Sequence, residues 1–98
     1  MLALQANFIR DLSGLEGCSS LEQLYLQQNE VTEIAGVEHL AALETLDLAM
    51  NRVTQIQGLE GNPKLEELWL NNNRIGEFAS VEYLQRLPQL KTVYLEGN

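Results

Sequence analysis

Aliphatic residues recur along the chain in one order, and an asparagine closes each copy of it. The order is Leu-x-x-Leu-x-Leu-x-x-Asn, followed by two further apolar positions, and the first copy is partial. Leu-x-Leu has a period of two, so both leucines point to the same face of a short strand. One such strand cannot bury its leucines alone, so the pattern predicts stacked repeats that share a core beneath a parallel sheet. The asparagines are Asn7, Asn29, Asn51, Asn73 and Asn98, the first four 22 residues apart and the last 25 residues after the fourth.

The other positions of the repeat predict how the chain returns from one strand to the next. An asparagine amide both donates and accepts, so it can satisfy backbone groups where the chain turns inward. Gly14, Gly36 and Gly58 each follow the last apolar position by two residues, which indicates a turn with positive φ or a close backbone approach. A period of 22 residues predicts 3₁₀ or short helical turns on the convex side.

The fourth repeat is three residues longer than the others and predicts a genuine α-helix. Ser80 is a suitable N-cap for it. Val81, Leu84 and Leu87 follow at a spacing of three residues and form one apolar stripe. Pro88 then ends the predicted helix.

This order of residues is the leucine-rich repeat pattern, and its five aligned copies cover the whole chain. The predicted fold class is α/β: a leucine-rich-repeat solenoid with a curved parallel sheet on the concave face and 3₁₀ or short helical turns on the convex face. We expect a single array over residues 1–98, with repeats near 1–20, 21–42, 43–64 and 65–89 and a partial repeat at 90–98. Neither end carries a polar cap, so we expect a fragment of a longer array or ends that something else covers.

Strand residues between the leucines point outward onto the concave face, where they form three rows across the strands. The central row holds three of the six aromatic residues, and no row contains Lys or Arg. The leading row is Gln23, Thr45, Glu67, Thr92; the central row is Ala3, Tyr25, Asp47, Trp69, Tyr94; the trailing row is Gln5, Gln27, Ala49, Asn71, Glu96.

The centre of this face is the candidate site. Adjacent strands lie about 4.8 Å apart, so Trp69 and Tyr94 should lie side by side, with Glu67 at their flank and Asp47 one strand away. Aromatic residues rimmed by carboxylates are typical of an interface centre. The alternative is that these aromatics are strand formers that merely cover their neighbours. Asp47 and Glu67 lie in different rows without a His, Ser or Cys partner, so we expect no enzyme, and the single His39 predicts no metal site.

The composition narrows the class of partner and the compartment that we expect. Fourteen acids against six bases give a net charge of −8, which disfavours nucleic acid and favours a basic protein surface. No apolar run approaches the roughly 18 residues of a membrane span, and the N-terminus does not resemble a signal peptide. The lone Cys18 and the absence of a glycosylation sequon indicate a reducing compartment, nucleus or cytoplasm. We expect no cofactor and no membrane contact.

Within the superfamily, the segments LETLDLAMNRV, LEELWLNNNRI and LKTVYLEGN resemble the nuclear leucine-rich-repeat regulatory subunit of protein phosphatase 1. The likeness spans nearly all of the chain and is closest from Leu43 onward. It implies a non-catalytic subunit whose concave face binds the phosphatase catalytic subunit through acidic and aromatic side chains. Carried over by position, those residues are Asp47, Glu67, Trp69 and Tyr94, and Tyr25 joins them because it lies in the same row.

Two other interpretations remain open. Repeats of similar period occur in axonemal and spliceosomal proteins, where they serve assembly without a phosphatase. A truncated or engineered chain without a function of its own would instead associate through its open ends.

Overall fold

The computed structural model describes residues 1–76, 78–87 and 89–98, and only the backbone of 78–80. In this described part the chain forms five short parallel strands in an open sheet, ordered as they occur in the chain. The elements are β1 (Leu2–Ala3), β2 (Gln23–Tyr25), β3 (Thr45–Asp47), β4 (Glu67–Trp69), α1 (Phe78–Leu84) and β5 (Thr92–Tyr94). This is the sheet that the repeat predicts.

The leucines of the strands form a continuous core behind the sheet. The register pairs Leu24 with Leu46 and Leu46 with Leu68, and all three are fully buried. Burying a leucine stabilises the fold by about 1.5–3 kcal/mol. Leu2 and Leu95, in the first and last repeats, are only half-buried against this core. They have a neighbouring repeat on one side alone, as stacking predicts.

The asparagines join each repeat to the one before it. Asn51 Nδ2 donates to Leu26 O of the preceding repeat at 2.9 Å and to Leu48 O of its own at 3.0 Å, while its Oδ1 accepts from Val31 N at 3.0 Å. The predicted role of this side chain at the inward turn is therefore confirmed. The same arrangement recurs at Asn29, Asn73 and Asn98.

The residue before each asparagine adopts a left-handed backbone conformation. Its φ lies between 57° and 60° in the first four repeats and is 80° at the glycine of the last. A residue with a Cβ pays roughly 1–2 kcal/mol for this conformation. These positions are Ala6, Gln28, Met50, Asn72 and Gly97.

The convex glycines all have the positive φ that their spacing predicts, and two of them also have a close backbone approach. Gly14, Gly36 and Gly58 have φ values of 94°, 90° and 74°. A Cβ at Gly36 would lie 2.7 Å from Leu12 O, and one at Gly58 would collide with Ile34 O. Two of the three turns therefore also need glycine because the preceding repeat packs against them.

Single turns with 3₁₀-type hydrogen bonds follow on the convex side. Leu40 N donates to Val37 O and Leu43 N to Leu40 O, each at 3.1 Å. One repeat later Asn62 occupies the position of Leu40, and it is fully buried. Its Nδ2 donates to Val37 O at 2.9 Å and to Leu40 O at 3.1 Å, a cross-link between repeats that the aliphatic pattern does not predict.

The longer fourth repeat contains the predicted helix, shifted along the chain. Helix α1 begins two residues before Ser80, so the predicted N-cap is wrong. Residue type indicates a helix start only to within one or two positions, and here the departure from the repeat decides it. Leu84 and Leu87 pack on the core, but Val81 is 48% exposed, so only part of the predicted stripe is buried. The predicted stop at Pro88 lies outside the described residues.

Tyr83 fastens this helix to the third repeat. Its hydroxyl accepts from Leu59 N at 2.9 Å and donates to Glu60 Oε1 at 2.7 Å. Burial and this carboxylate raise the pKa of Tyr83, while the tyrosine hydrogen bond lowers the pKa of Glu60. Among the residues that the structure describes, no helix has the length and hydrophobicity that a membrane crossing needs.

Candidate functional site

The strand register places the central row in one line across the sheet. Ala3 pairs with Tyr25, Tyr25 with Asp47, Asp47 with Trp69 and Trp69 with Tyr94. The aliphatic residues on either side of each of these residues point to the core, so the central row points to the concave face. The backbones of neighbours in this line are about 4.8 Å apart, measured from one strand to the next.

Trp69 of β4 and Tyr94 of β5 stack on one another on this face. Their ring centroids are 4.0 Å apart and the ring planes meet at 28°. Trp69 is half-buried and Tyr94 is 39% exposed, so the stack remains open to solvent on one side. The predicted side-by-side placement is confirmed, and the indole is not part of the leucine core.

Carboxylates flank the stack on two sides. Asp47, one strand from Trp69, is half-buried and accepts from Ala49 N at 3.0 Å. Burial raises the pKa of Asp47, and the Ala49 hydrogen bond opposes that shift. Glu67 precedes Trp69 by two residues and is exposed. Throughout the described ranges neither carboxylate forms an ion pair; the ion pairs there use Glu30 and Glu66.

Tyr25 lies on the opposite side of Asp47 from Trp69. It is half-buried and extends the face without joining the aromatic stack. The structure therefore brings Asp47, Glu67, Trp69 and Tyr94 together and leaves Tyr25 one strand further out.

The trailing row contributes polar groups to which the sequence assigns no role. Gln28 N donates to Ala49 O at 3.0 Å and Met50 N to Asn71 O at 2.9 Å, so the strand pairing continues through this row. Gln27 Oε1 and Asn71 Oδ1 are buried, and neither accepts a hydrogen bond from any described residue. Their polarity alone could not signal this, because glutamine and asparagine are ordinary on an exposed strand face.

Groups with other chemistry lie apart from this face. Within the described part of the chain no three His, Cys, Asp or Glu residues form a group that could hold a metal ion. Cys18 is a half-buried free thiol packed against the core. His39 is exposed on the convex side.

Comparison with known proteins agrees with this geometry. A family model described as leucine rich repeats (2 copies) matches residues 41–83 and 63–98, which together exceed half of the chain. An internalin from Listeria monocytogenes is similar in structure, with a TM-score of 0.85 and 34% identity over 94% of this chain. This chain spans 27% of that internalin chain. No curated protein matches. The chain therefore belongs to the leucine-rich repeat family, whose members generally serve as protein–protein interaction modules and not as catalysts.

Proposed function

We propose that this protein is a regulatory subunit that binds the catalytic subunit of protein phosphatase 1 through its concave face. The observation that carries the proposal is the exposed Trp69–Tyr94 stack with two carboxylates beside it that have no basic partner in the described chain. The resemblance of the segments around these residues to the phosphatase regulatory subunit supplies the identity of the partner.

The aromatic stack would form the centre of the interface. Tryptophan and tyrosine are enriched among the few residues that dominate binding energies, because they bury large apolar areas at low entropic cost. Trp69 and Tyr94 already restrain each other by stacking, so little side-chain freedom remains to be lost on binding. Tyr25 would extend this contact along the central row.

The carboxylates would select a basic partner and orient it. Asp47 and Glu67 would pair with Lys or Arg on the catalytic subunit, which restores to the half-buried Asp47 the stabilisation that burial removes. The net charge of −8 would speed the encounter with a basic surface, and added salt would slow it. The proposal includes a location in the nucleus and cytoplasm, which the free Cys18 supports.

Binding of the purified phosphatase catalytic subunit to wild type and to Trp69→Ala tests this function. We expect the variant to bind with at least about 2 kcal/mol less free energy, close to 30-fold weaker. Phe8→Ala is the matched control, because Phe8 is 84% exposed and lies outside the three concave rows. Glu67→Ala tests the carboxylate beside the stack in the same experiment. Glu33→Ala is its matched control, since both glutamates are exposed.

Two results would reject the proposal. Equal affinity of wild type and Trp69→Ala would exclude the concave face as the binding surface. Recovery of axonemal or spliceosomal proteins without the phosphatase, in a pull-down from cell extract, would favour the scaffold interpretation instead.

A further inference from the structure

A group of hydrogen-bond acceptors on the concave face lacks donors. Gln27 Oε1 and Asn71 Oδ1 are buried and accept from nothing in the described residues. They lie on either side of Ala49 in the trailing row, as the pairing of Gln28 N with Ala49 O and of Met50 N with Asn71 O requires. Buried acceptors in native proteins almost always have a partner, so two together in one row indicate a donor that the isolated chain does not supply.

These oxygens belong to a defined group of positions on neighbouring strands. Asp47 and Ala49 lie on one strand, and Trp69 and Asn71 occupy the matching positions on the next. We call these four residues the acceptor square; its corners are about 4.8 Å apart across the strands and about 6.6 Å apart along them. Ala49 has the smallest side chain of the four and is 5% exposed, and Gln27 lies beside it on the preceding strand.

No basic residue belongs to the three concave rows. The three concave rows contain Asp47, Glu67 and Glu96 but no Lys, Arg or His. The bases that form ion pairs in the described ranges are Arg10, Arg52 and Lys91, and their partners are Glu30 and Glu66, outside these rows. A donor for the square therefore has to come from another molecule, and the carboxylate of Asp47 favours a cationic one.

We propose that the acceptor square binds an arginine side chain of the protein partner, with the guanidinium over Ala49 and the aliphatic stem against the Trp69–Tyr94 stack. This rests on the proposed function only in that a protein partner docks on the concave face. The guanidinium carries five N–H donors in one plane, so it can donate to Asp47 and to an oxygen on each side. It also stacks on aromatic rings.

Lysine fits the same square less well. Its ammonium group is a compact charge with three donors and cannot span the distance from Gln27 to Asn71 while it contacts Asp47. Both amide side chains are half-buried, and the terminal torsion of Gln and Asn is broad, so a rotation turns each oxygen toward an incoming donor.

Titration of the 98-residue protein with N-acetyl-arginine methylamide, followed by NMR, tests the proposal directly. The signals to follow are the side-chain amides of Gln27 and Asn71 and the indole N–H of Trp69. We expect these signals to shift, with at least about tenfold tighter binding than for the lysine counterpart. The citrulline counterpart, which keeps the shape but has no charge, should bind more weakly than both. Equal binding of arginine and lysine, or shifts confined to residues outside the square, would overturn the proposal.

Variants distinguish hydrogen bonding to the two side-chain amides from general attraction of a cation by the acidic protein. Gln27→Ala combined with Asn71→Ala should reduce the arginine affinity to that of lysine. Gln23→Ala, an exposed glutamine on the same strand in the leading row, should leave the preference unchanged. Gln27→Glu keeps the side-chain length and an acceptor, so it should retain the preference even if the double variant is unfolded. Loss of the preference for arginine over lysine in Gln27→Glu would contradict the assignment. So would survival of that preference in a folded double variant.

The two proposals can fail separately. If arginine binds in the square but the protein has no affinity for the phosphatase, the phosphatase proposal is rejected and the arginine site is retained. Equal binding of arginine and lysine by the wild-type protein, together with wild-type phosphatase affinity in the folded double variant, would remove the arginine site and leave the phosphatase interaction.

Discussion

Replacing Asn51 with alanine removes the side chain that joins the second and third repeats. Asn51 is 6% exposed, donates to Leu26 O and Leu48 O and accepts from Val31 N. The substitution leaves the leucines of the core in place. It therefore tests whether the cross-link between repeats, and not only the apolar packing, holds the stack together.

The expected loss of unfolding free energy follows from the hydrogen bonds that each backbone group keeps in the variant. Leu26 O still accepts from Asn29 Nδ2 at 3.0 Å, and Leu48 O still accepts from Asn73 Nδ2 at 2.9 Å. Each carbonyl therefore loses one of two bonds, worth about 0.5–1.5 kcal/mol net, whereas the amide of Val31 loses its acceptor at a cost of about 1–3 kcal/mol. We expect the free energy of unfolding to fall by about 2–6 kcal/mol, a large part of the roughly 5–15 kcal/mol of a typical domain.

Urea unfolding, followed by far-UV circular dichroism and by the fluorescence of the single tryptophan, measures this loss. With a slope of about 1–3 kcal/mol per molar urea, the midpoint should fall by at least roughly 0.7 M. Asn7→Ala is the matched control, because Asn7 is exposed and donates to Leu4 O and Gln5 O within its own repeat. Its loss should stay under about 1 kcal/mol. Equal midpoints for the two variants would refute the cross-link argument.

Three further substitutions test local features of the fold and the face. Gly36→Ala should lower the free energy of unfolding by at least about 1–2 kcal/mol, because φ is positive and Leu12 O blocks the Cβ, whereas Gly17→Ala, with open space around it, should change it little in the same urea experiment. Met50→Gly should raise the melting temperature, because the relief of about 1–2 kcal/mol at a φ of 57° exceeds the roughly 0.5–1 kcal/mol entropic cost of glycine. Burial raises the pKa of Asp47, so the folded state holds its proton more tightly than the unfolded chain, and stability falls as pH rises above the ordinary value of 3.8. Asp47→Asn should therefore stabilise the protein at pH 7 and lose that advantage well below pH 3.8, and an advantage that persists in acid would contradict burial of the charge.

Periodicity predicts the features that depend on which way a residue points. The alternation of each strand determines that Asp47, Trp69 and Tyr94 share a face, and their equivalent positions in the repeat determine that they are neighbours in register. The role of Asn51 follows as well, because the inward turn leaves backbone groups that an amide can satisfy.

Other features depend on contacts between repeats that no single repeat specifies. Asn62 interrupts an aliphatic position, and its purpose is visible only when the carbonyls of Val37 and Leu40 lie beside it. The buried oxygens of Gln27 and Asn71 have no counterpart in the pattern, since burial there depends on how neighbouring side chains fold over them. The helix start near Ser80 is set by the geometry with which the chain leaves the fourth strand, which residue preference does not encode.

The direction of the asparagine bonds has a consequence for synthesis on the ribosome. The amide of Val31 finds its acceptor in Asn51, 20 residues later, and that of Ile75 in Asn98, 23 residues later. A nascent chain therefore cannot finish one turn of the coil until most of the following turn has emerged from the exit tunnel. During translation the repeat that emerged last still lacks its asparagine acceptor, whereas the earlier repeats are complete. The incomplete repeat therefore shifts toward the C-terminus as synthesis proceeds.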